Sequence, residues 1–321
     1  MKLPPRHRFP LYAMMAALLL PSFALETARG QVPAIPTVDR DFSRIQNAIA
    51  TLEPSEDTHL PTYAPAAEGD DDLGVQMLMR EAERYRAWRI SASAALYWTD
   101  NASLTDLVEL EDTYLNAFAT VNFLPRINGN LYGEFFANYQ IYRYQENGRL
   151  DFDDLEAGAG LVNVFRNRGD LSIFGRYNYE RILEATDYTE IFVNHSFLLG
   201  AYRPFTLGQR QFAYLRMAAD LSLGTAPNLL RRHEYSALAG YRYTPIDKLA
   251  VNVYYRVRLL DYRKLGGTDW NHQLGGGISY QFLKNFRFGI NGYWTMNDSS
   301  RRFGDYSAAN LGGLAGFSIK L

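Results

Sequence analysis

The residues of this chain that could do nucleophilic or acid–base chemistry are few. His195 and Ser196 are adjacent in an alternating segment, so on a strand they point to opposite faces and cannot form a dyad. His233 and His272 lie near predicted strand ends, where surface histidines are common. A protease-like acid and histidine site that uses carboxylates such as Asp269 beside His272 stays open, but we expect no enzyme activity.

Charged residues on alternating segments indicate a second kind of chemistry, the recognition of ions and polar solutes. The basic candidates are Arg216, Arg242, Arg256, Arg258 and Arg287, and the acidic candidates are Glu134, Glu156 and Glu180. On the inner face of a closed sheet, separated charges would create a transverse field that orders permeant ions. The alternative is that they pair across a narrow lumen and fill it. The sequence leaves both open.

Metal, cofactor and nucleic-acid chemistry find little support. The triplet Asp70, Asp71 and Asp72 lacks the alternating ligands, the glycine and the distal glutamate of a calcium loop, so we interpret it as a solvated linker. We expect no metal and no cofactor. A formal net charge of −2 is too mild to indicate a nucleic-acid partner.

The elements that position the charges are most regular at residues 249–260, LAVNVYYRVRLL. One row of this segment is apolar and includes Val253, Tyr255 and Val257, whereas the other row includes Arg256 and Arg258. The pattern recurs about a dozen times with little helix between, as expected of strands that cross a bilayer. It predicts an all-β fold, an antiparallel up-and-down transmembrane β-barrel of about 12 strands.

The predicted strands cover residues 88–99, 112–124, 130–144, 153–165, 171–181, 191–203, 211–223, 233–243, 249–260, 270–282, 286–297 and 307–321. Short connections with turn chemistry, such as Asn128-Gly129 and residues 204–210, alternate with longer ones such as 100–111 and 224–232. Outer-membrane barrels have short periplasmic turns and longer external loops, so this parity predicts that both ends of the barrel domain are periplasmic.

The amino-terminal part does not alternate. Residues 1–30 have basic residues, an apolar run and small residues in the order of a cleaved secretory signal peptide. Residues 31–85 are predicted to be a mostly irregular periplasmic segment with a short amphipathic helix over residues 39–52 and a proline-rich acidic linker. Residues 86–321 are predicted to form the barrel.

The four tryptophans agree with the predicted strand directions. Trp88 falls at the inner rim, whereas Trp98, Trp270 and Trp294 fall near the outer rim. Amphipathic rings are favoured at the two membrane interfaces. We therefore predict that these tryptophans form an aromatic girdle.

Three blocks carry a resemblance to known proteins. RISASAALYWTDNASLT (89–105), NHSFLLGAYRPF (194–205) and SSRRFGDYSAANLGGLAGFSIKL (299–321) resemble bacterial outer-membrane β-barrel proteins of the porin type, over roughly residues 73–321. The resemblance implies the fold and an outer-membrane location, and it brings no functional residue.

We expect a porin-like passive channel for small polar solutes or ions, with outer-membrane lipid and the outer-membrane insertion machinery as partners. The alternative is a non-conducting structural or secretion-associated anchor, since residues 31–85 could plug the lumen or hold another envelope protein. An outer-membrane lipase or protease is the third class considered.

Overall fold

The structure is a computed structural model that describes residues 86–208, 210–301 and 304–321. The predictions of a signal peptide over residues 1–30, a periplasmic segment over residues 31–85 and a helix over residues 39–52 lie outside the described residues. Among the described residues, no helix is long and apolar enough to span a membrane.

The described chain forms one antiparallel sheet. Its strands are β1 (Trp88–Thr99), β2 (Asp112–Phe123), β3 (Arg126–Asn128), β4 (Leu131–Tyr144), β5 (Phe152–Phe165), β6 (Leu171–Glu184), β7 (Glu190–Gly208), β8 (Gln211–Ala226), β9 (Arg232–Ile246), β10 (Leu249–Tyr262), β11 (Thr268–Leu283), β12 (Phe286–Ser299) and β13 (Tyr306–Lys320). Three short 3₁₀ helices, Gly148–Leu150, Arg166–Arg168 and Asn228–Leu230, lie in connections.

The sheet closes on itself. Each long strand pairs with its neighbours in sequence, β2 pairs with β4 past the three-residue β3, and β1 pairs with β13. Without β3, which belongs to a turn, the wall has twelve strands. The predicted fold, an up-and-down β-barrel of about 12 strands, is therefore confirmed.

The wall has an apolar exposed face and a polar buried face, the reverse of a soluble sheet, as β10 illustrates. On its outer row, Val251, Val253 and Tyr255 are 37%, 47% and 46% exposed. On its inner row, Arg256 and Arg258 are 4% and 1% exposed. A soluble sheet buries its aliphatic row, so a charged buried row and an apolar exposed row are typical of a wall with lipid outside.

One predicted turn is wrong. Residues 204–210 were expected to connect two strands, but β7 continues through this segment to Gly208. Its pairing with β8 includes Pro204, which lies opposite Tyr214. The pairing of β7 with β6 ends at Tyr202, so Pro204 lies where β7 is paired on one side only. Proline is tolerated on such an edge because no ladder bond requires its missing N–H.

Aromatic rings lie over glycines inside the barrel. Directly opposite cross-strand pairs are Phe136 and Gly158, Phe174 and Gly200, Tyr214 and Gly240, Tyr254 and Gly275, and Tyr97 and Gly312. At Gly240, an added Cβ would collide with the ring of Tyr214. Glycine at these positions therefore lets a large ring turn along the wall and fill the interior.

The closure of the sheet between β1 and β13 can be tested by a disulfide. The chain has Cys 0, so introduced cysteines have no native competitor. Ala94 and Ala315 are direct partners on the outer face, and directly opposed Cα atoms lie within disulfide range. We expect a protein with Ala94→Cys and Ala315→Cys, folded in detergent and oxidised, to form a cross-link that changes its mobility on a non-reducing gel.

The matched control replaces Ala309 instead of Ala315. Ala309 lies six positions along β13 from Ala315, too far from Ala94 for a disulfide. If both cysteine pairs cross-link equally, or if neither does, the register between β1 and β13 is not the one described.

Candidate functional site

The interior of the barrel holds the sequence-predicted charged residues. Arg216, Arg256, Arg258, Glu134 and Glu156 are buried on inner rows. Three others lie on inner rows with more exposure: Glu180 and Arg242 are partly buried, and Arg287, near the start of β12, is exposed.

Five arginines and four carboxylates line a cavity in one half of the barrel. They are Arg176, Arg216, Arg232, Arg256 and Arg258, with Glu156, Glu180, Asp220 and Glu234. The cavity has a volume of about 80 Å³, which corresponds to roughly half a dozen water molecules. All of these side chains come from β5, β6, β8, β9 and β10, so this charged cavity lies on one side of the lumen.

Two apolar clusters bound the cavity. The first is Tyr132, Val162, Val164, Phe174, Leu198, Tyr202, Tyr214, Leu238 and Tyr254. The second is Ala95, Tyr97, Tyr114, Tyr142, Phe152, Ile182 and Phe192, with Leu230 packed against it. Leu198 of the first cluster and Phe192 and Leu230 of the second also line the cavity. Apolar side chains from both clusters therefore adjoin the charged lining of the cavity.

Two of these arginines, Arg256 and Arg258, are held by hydrogen-bond partners on neighbouring strands. Arg258 donates from Nη1 to Glu234 Oε1 at 3.3 Å and from Nη2 to Asn271 Oδ1 at 3.0 Å. Arg256 donates from Nη2 to Gln273 Oε1 at 2.7 Å. Neutral amides of β11 thus fix the directions of both guanidinium groups, and the Glu234 carboxylate of β9 pairs with Arg258.

One ion pair spans three strands. Arg176 on β6 and Glu134 on β4 approach to 3.3 Å across β5, and both are almost completely buried. The residue between them in register is Gly160, where a Cβ would collide with Arg176 and with the carbonyl oxygen of Gly175. The Arg176 guanidinium also lies 5.0 Å from the ring centre of Phe136. Gly160 therefore makes room for a buried cross-strand charge pair.

Sequence reasoning missed four charged residues of the cavity: Arg176, Asp220, Arg232 and Glu234. Each lies on the inner row of a predicted strand or within two residues of its end, so the same alternation could have found them. Arg176 lies on a strand expected to be acidic, and Glu234 lies on one expected to be basic. The charges are therefore interleaved more than the sequence suggested.

The residues considered for catalysis do not converge. Ser196 is buried and lines the cavity, whereas Nδ1 of His195 hydrogen-bonds to Tyr177, an exposed residue of the outer face, at 2.6 Å. Asp269 points inward and pairs with Arg301 at 2.5 Å. In the part of the chain that the structure describes, no three His, Asp or Glu side chains are grouped so as to hold a metal ion.

The four tryptophans lie on the outer face and are 41–47% exposed. Trp88 is in the first position of β1 and stacks on Phe123 with ring centres 4.3 Å apart. Trp98, near the other end of β1, donates from Nε1 to Glu111 at 2.7 Å. Trp270 and Trp294 lie on β11 and β12 near the end of the barrel that contains Trp98.

The fold is shared with outer-membrane proteins. An outer membrane channel from Pseudomonas putida F1 is similar, with a TM-score of 0.50 and 10% identity over 73% of this chain and 96% of that chain. The KdgM porin in complex with disordered oligogalacturonate has a TM-score of 0.40 and 14% identity over 71% of this chain and 99% of that chain. At these identities the similarity concerns the fold. No protein-family model and no curated protein matches the sequence.

The buried pair of Arg176 and Glu134 predicts a large loss of stability when its acid is removed. Glu134→Ala leaves a buried guanidinium without this partner, and we expect a cost of about 3 kcal/mol or more in unfolding free energy. The matched control is Glu190→Ala, which removes the partner of Arg181 in an ion pair whose side chains are 41% and 43% exposed. We expect that change to cost less than about 1 kcal/mol. Urea unfolding of the barrel in lipid vesicles measures both, and equal effects would show that burial of the ion pair does not matter.

Proposed function

We propose that this chain is a bacterial outer-membrane β-barrel that acts as a porin-like passive channel for small polar solutes or ions. The observation that carries the proposal is the charged inner cavity within a wall whose outer face is apolar. Water in that cavity would be separated from lipid by a single closed sheet.

The membrane location rests on energetics. Arg256 and Arg258 on the outer face would cost about 2 to 4 kcal/mol each near the bilayer midplane. They lie inside, and aliphatic and aromatic side chains take the outer positions. A wall of this polarity suits lipid, and residues 1–30 supply the export signal that delivery to the outer membrane requires. The insertion machinery of that membrane would then fold the barrel.

The channel is expected to be narrow. Closed barrels of eight strands are filled by side chains, and those of sixteen leave an open channel, so a wall of twelve strands lies between. Here the two apolar clusters place buried side chains in the interior. Only solutes of a few non-hydrogen atoms, or ions with part of their hydration shell, would fit the charged cavity beside the clusters.

A structural anchor is the second candidate, and the paired charges favour it. Arg176 with Glu134, and Arg258 with Glu234, are salt bridges inside the wall. Such pairs would stabilise a filled interior that conducts nothing. The two functions differ in whether Arg256 and Arg258 contact permeant ions.

We expect the double substitution Arg256→Glu and Arg258→Glu to shift the reversal potential in planar bilayers toward cation preference, because charges that line a pore set its selectivity. The control is the double substitution Arg149→Glu and Arg168→Glu, which makes the same charge change in exposed 3₁₀ helices outside the wall. We expect it to shift the reversal potential much less. A folded lumen variant with unchanged selectivity would remove these arginines from the ion path, and a variant that cannot fold would favour the anchor.

A further inference from the structure

We propose that the charged cavity is a binding site for a small zwitterion of the amino-acid type, whose ammonium group binds its carboxylates and whose carboxylate binds its arginines. This inference rests on the proposed channel function and names the class of solute that the channel would select.

The first observation is that carboxylates are placed in like-charged pairs. Glu156 and Glu180 are direct cross-strand partners on β5 and β6, and Asp220 and Glu234 are direct partners on β8 and β9. All four line the cavity. Like charges directly opposite each other destabilise a sheet, and the arginines of the same cavity offset this repulsion, as in the salt bridge of Arg258 with Glu234.

The second observation is an acceptor without a donor. The Oδ1 atom of Asp220 is inaccessible to solvent and has no hydrogen-bond partner among the described residues. Ser196 lies within hydrogen-bonding range of the same carboxylate group. A buried carboxylate oxygen that lacks a donor costs free energy. Because Asp220 lines the cavity, a positive charge placed in the cavity would stabilise its carboxylate.

The third observation is the basic side of the same cavity. Arg256 and Arg258 are two positions apart on β10 and both line the cavity. Arg256 donates to the amide oxygen of Gln273, and Arg258 donates to the amide oxygen of Asn271 and to the carboxylate of Glu234. Guanidinium groups fixed in this way suit the planar geometry of a carboxylate. The acidic pair lies on β5 and β6, the first two strands that line the cavity, and the two arginines lie on β10, the last.

Other ligand classes fit less well. A simple cation would meet five arginines, and a simple anion would meet four carboxylates. Among the described side chains, no group of three His, Asp or Glu residues could hold a metal ion. A volume of about 80 Å³, equal to roughly half a dozen waters, limits the solute to the size of glycine or little more. A short zwitterion satisfies both signs of charge at once.

The test is a ligand-observed NMR titration of the full mature chain folded in detergent, with glycine, acetate and methylammonium as separate probes. We expect glycine to bind more tightly than either singly charged probe. Asp220→Asn should weaken glycine binding by about tenfold or more, since the ammonium group then faces a neutral acceptor in place of a carboxylate, and should leave acetate binding unchanged or stronger. The control Asp170→Asn changes an exposed turn residue at φ 56°, a conformation that Asn also tolerates, and should have no effect.

Glycine that binds no better than acetate or methylammonium would overturn the inference, and this comparison needs no variant to fold. Wild-type glycine binding by Asp220→Asn would overturn it as well. The titration does not require conduction, so a barrel that conducts salt but does not prefer glycine contradicts this inference and leaves the proposed channel intact. A barrel that binds glycine but conducts nothing contradicts the channel instead.

Discussion

The structure depends on one constraint, that a backbone in lipid must satisfy its hydrogen bonds internally. An open sheet would expose unpaired N–H and C=O groups along two edges, each at a cost of several kcal/mol in hydrocarbon. Pairing of β1 with β13 removes both edges. Once the wall is closed, the period of two along each strand assigns every side chain to lipid or to the lumen. The placement of the charged residues follows from that assignment.

The lumen then has its own packing problem. A wall of twelve strands encloses more space than one layer of small side chains fills. Large rings turned over opposing glycines, such as Tyr214 over Gly240 and Tyr254 over Gly275, fill part of it. The same device, with Gly160, lets Arg176 reach Glu134 across β5. Glycine in this barrel therefore determines how far the interior is closed, and the charged cavity is the space that remains.

Much of this was predictable from sequence because alternation is local. The row that contains Arg256 and Arg258 could be assigned to the interior from twelve residues, and the strand number followed from repetition of the pattern. Contacts across strands were not predictable. The approach of Arg176 to Glu134 requires the registers of two strand pairs, and a single sequence does not contain them.

The extent of β7 and the composition of the cavity were missed for related reasons. Pro204 was interpreted as a turn residue because proline interrupts a ladder of hydrogen bonds. At Pro204, however, β7 is paired with β8 alone, so no hydrogen bond to β6 is lost. Asp220 lies in a segment whose neighbours are mostly apolar. Its position beside other charged residues could be recognised only once the strand register placed Glu234 opposite it. The signal peptide over residues 1–30 and the periplasmic segment over residues 31–85 stay predictions.

The central claim is that a closed, lipid-facing wall surrounds a narrow charged passage. Single-channel recording of the folded barrel in planar bilayers, combined with swelling of liposomes in sugars of increasing size, tests it most directly. We expect small discrete conductance steps in salt and exclusion of a disaccharide, because the charged cavity beside the two apolar clusters has room for only a few water-sized groups. A folded barrel that passes no ions, or one that admits the disaccharide freely, would contradict it.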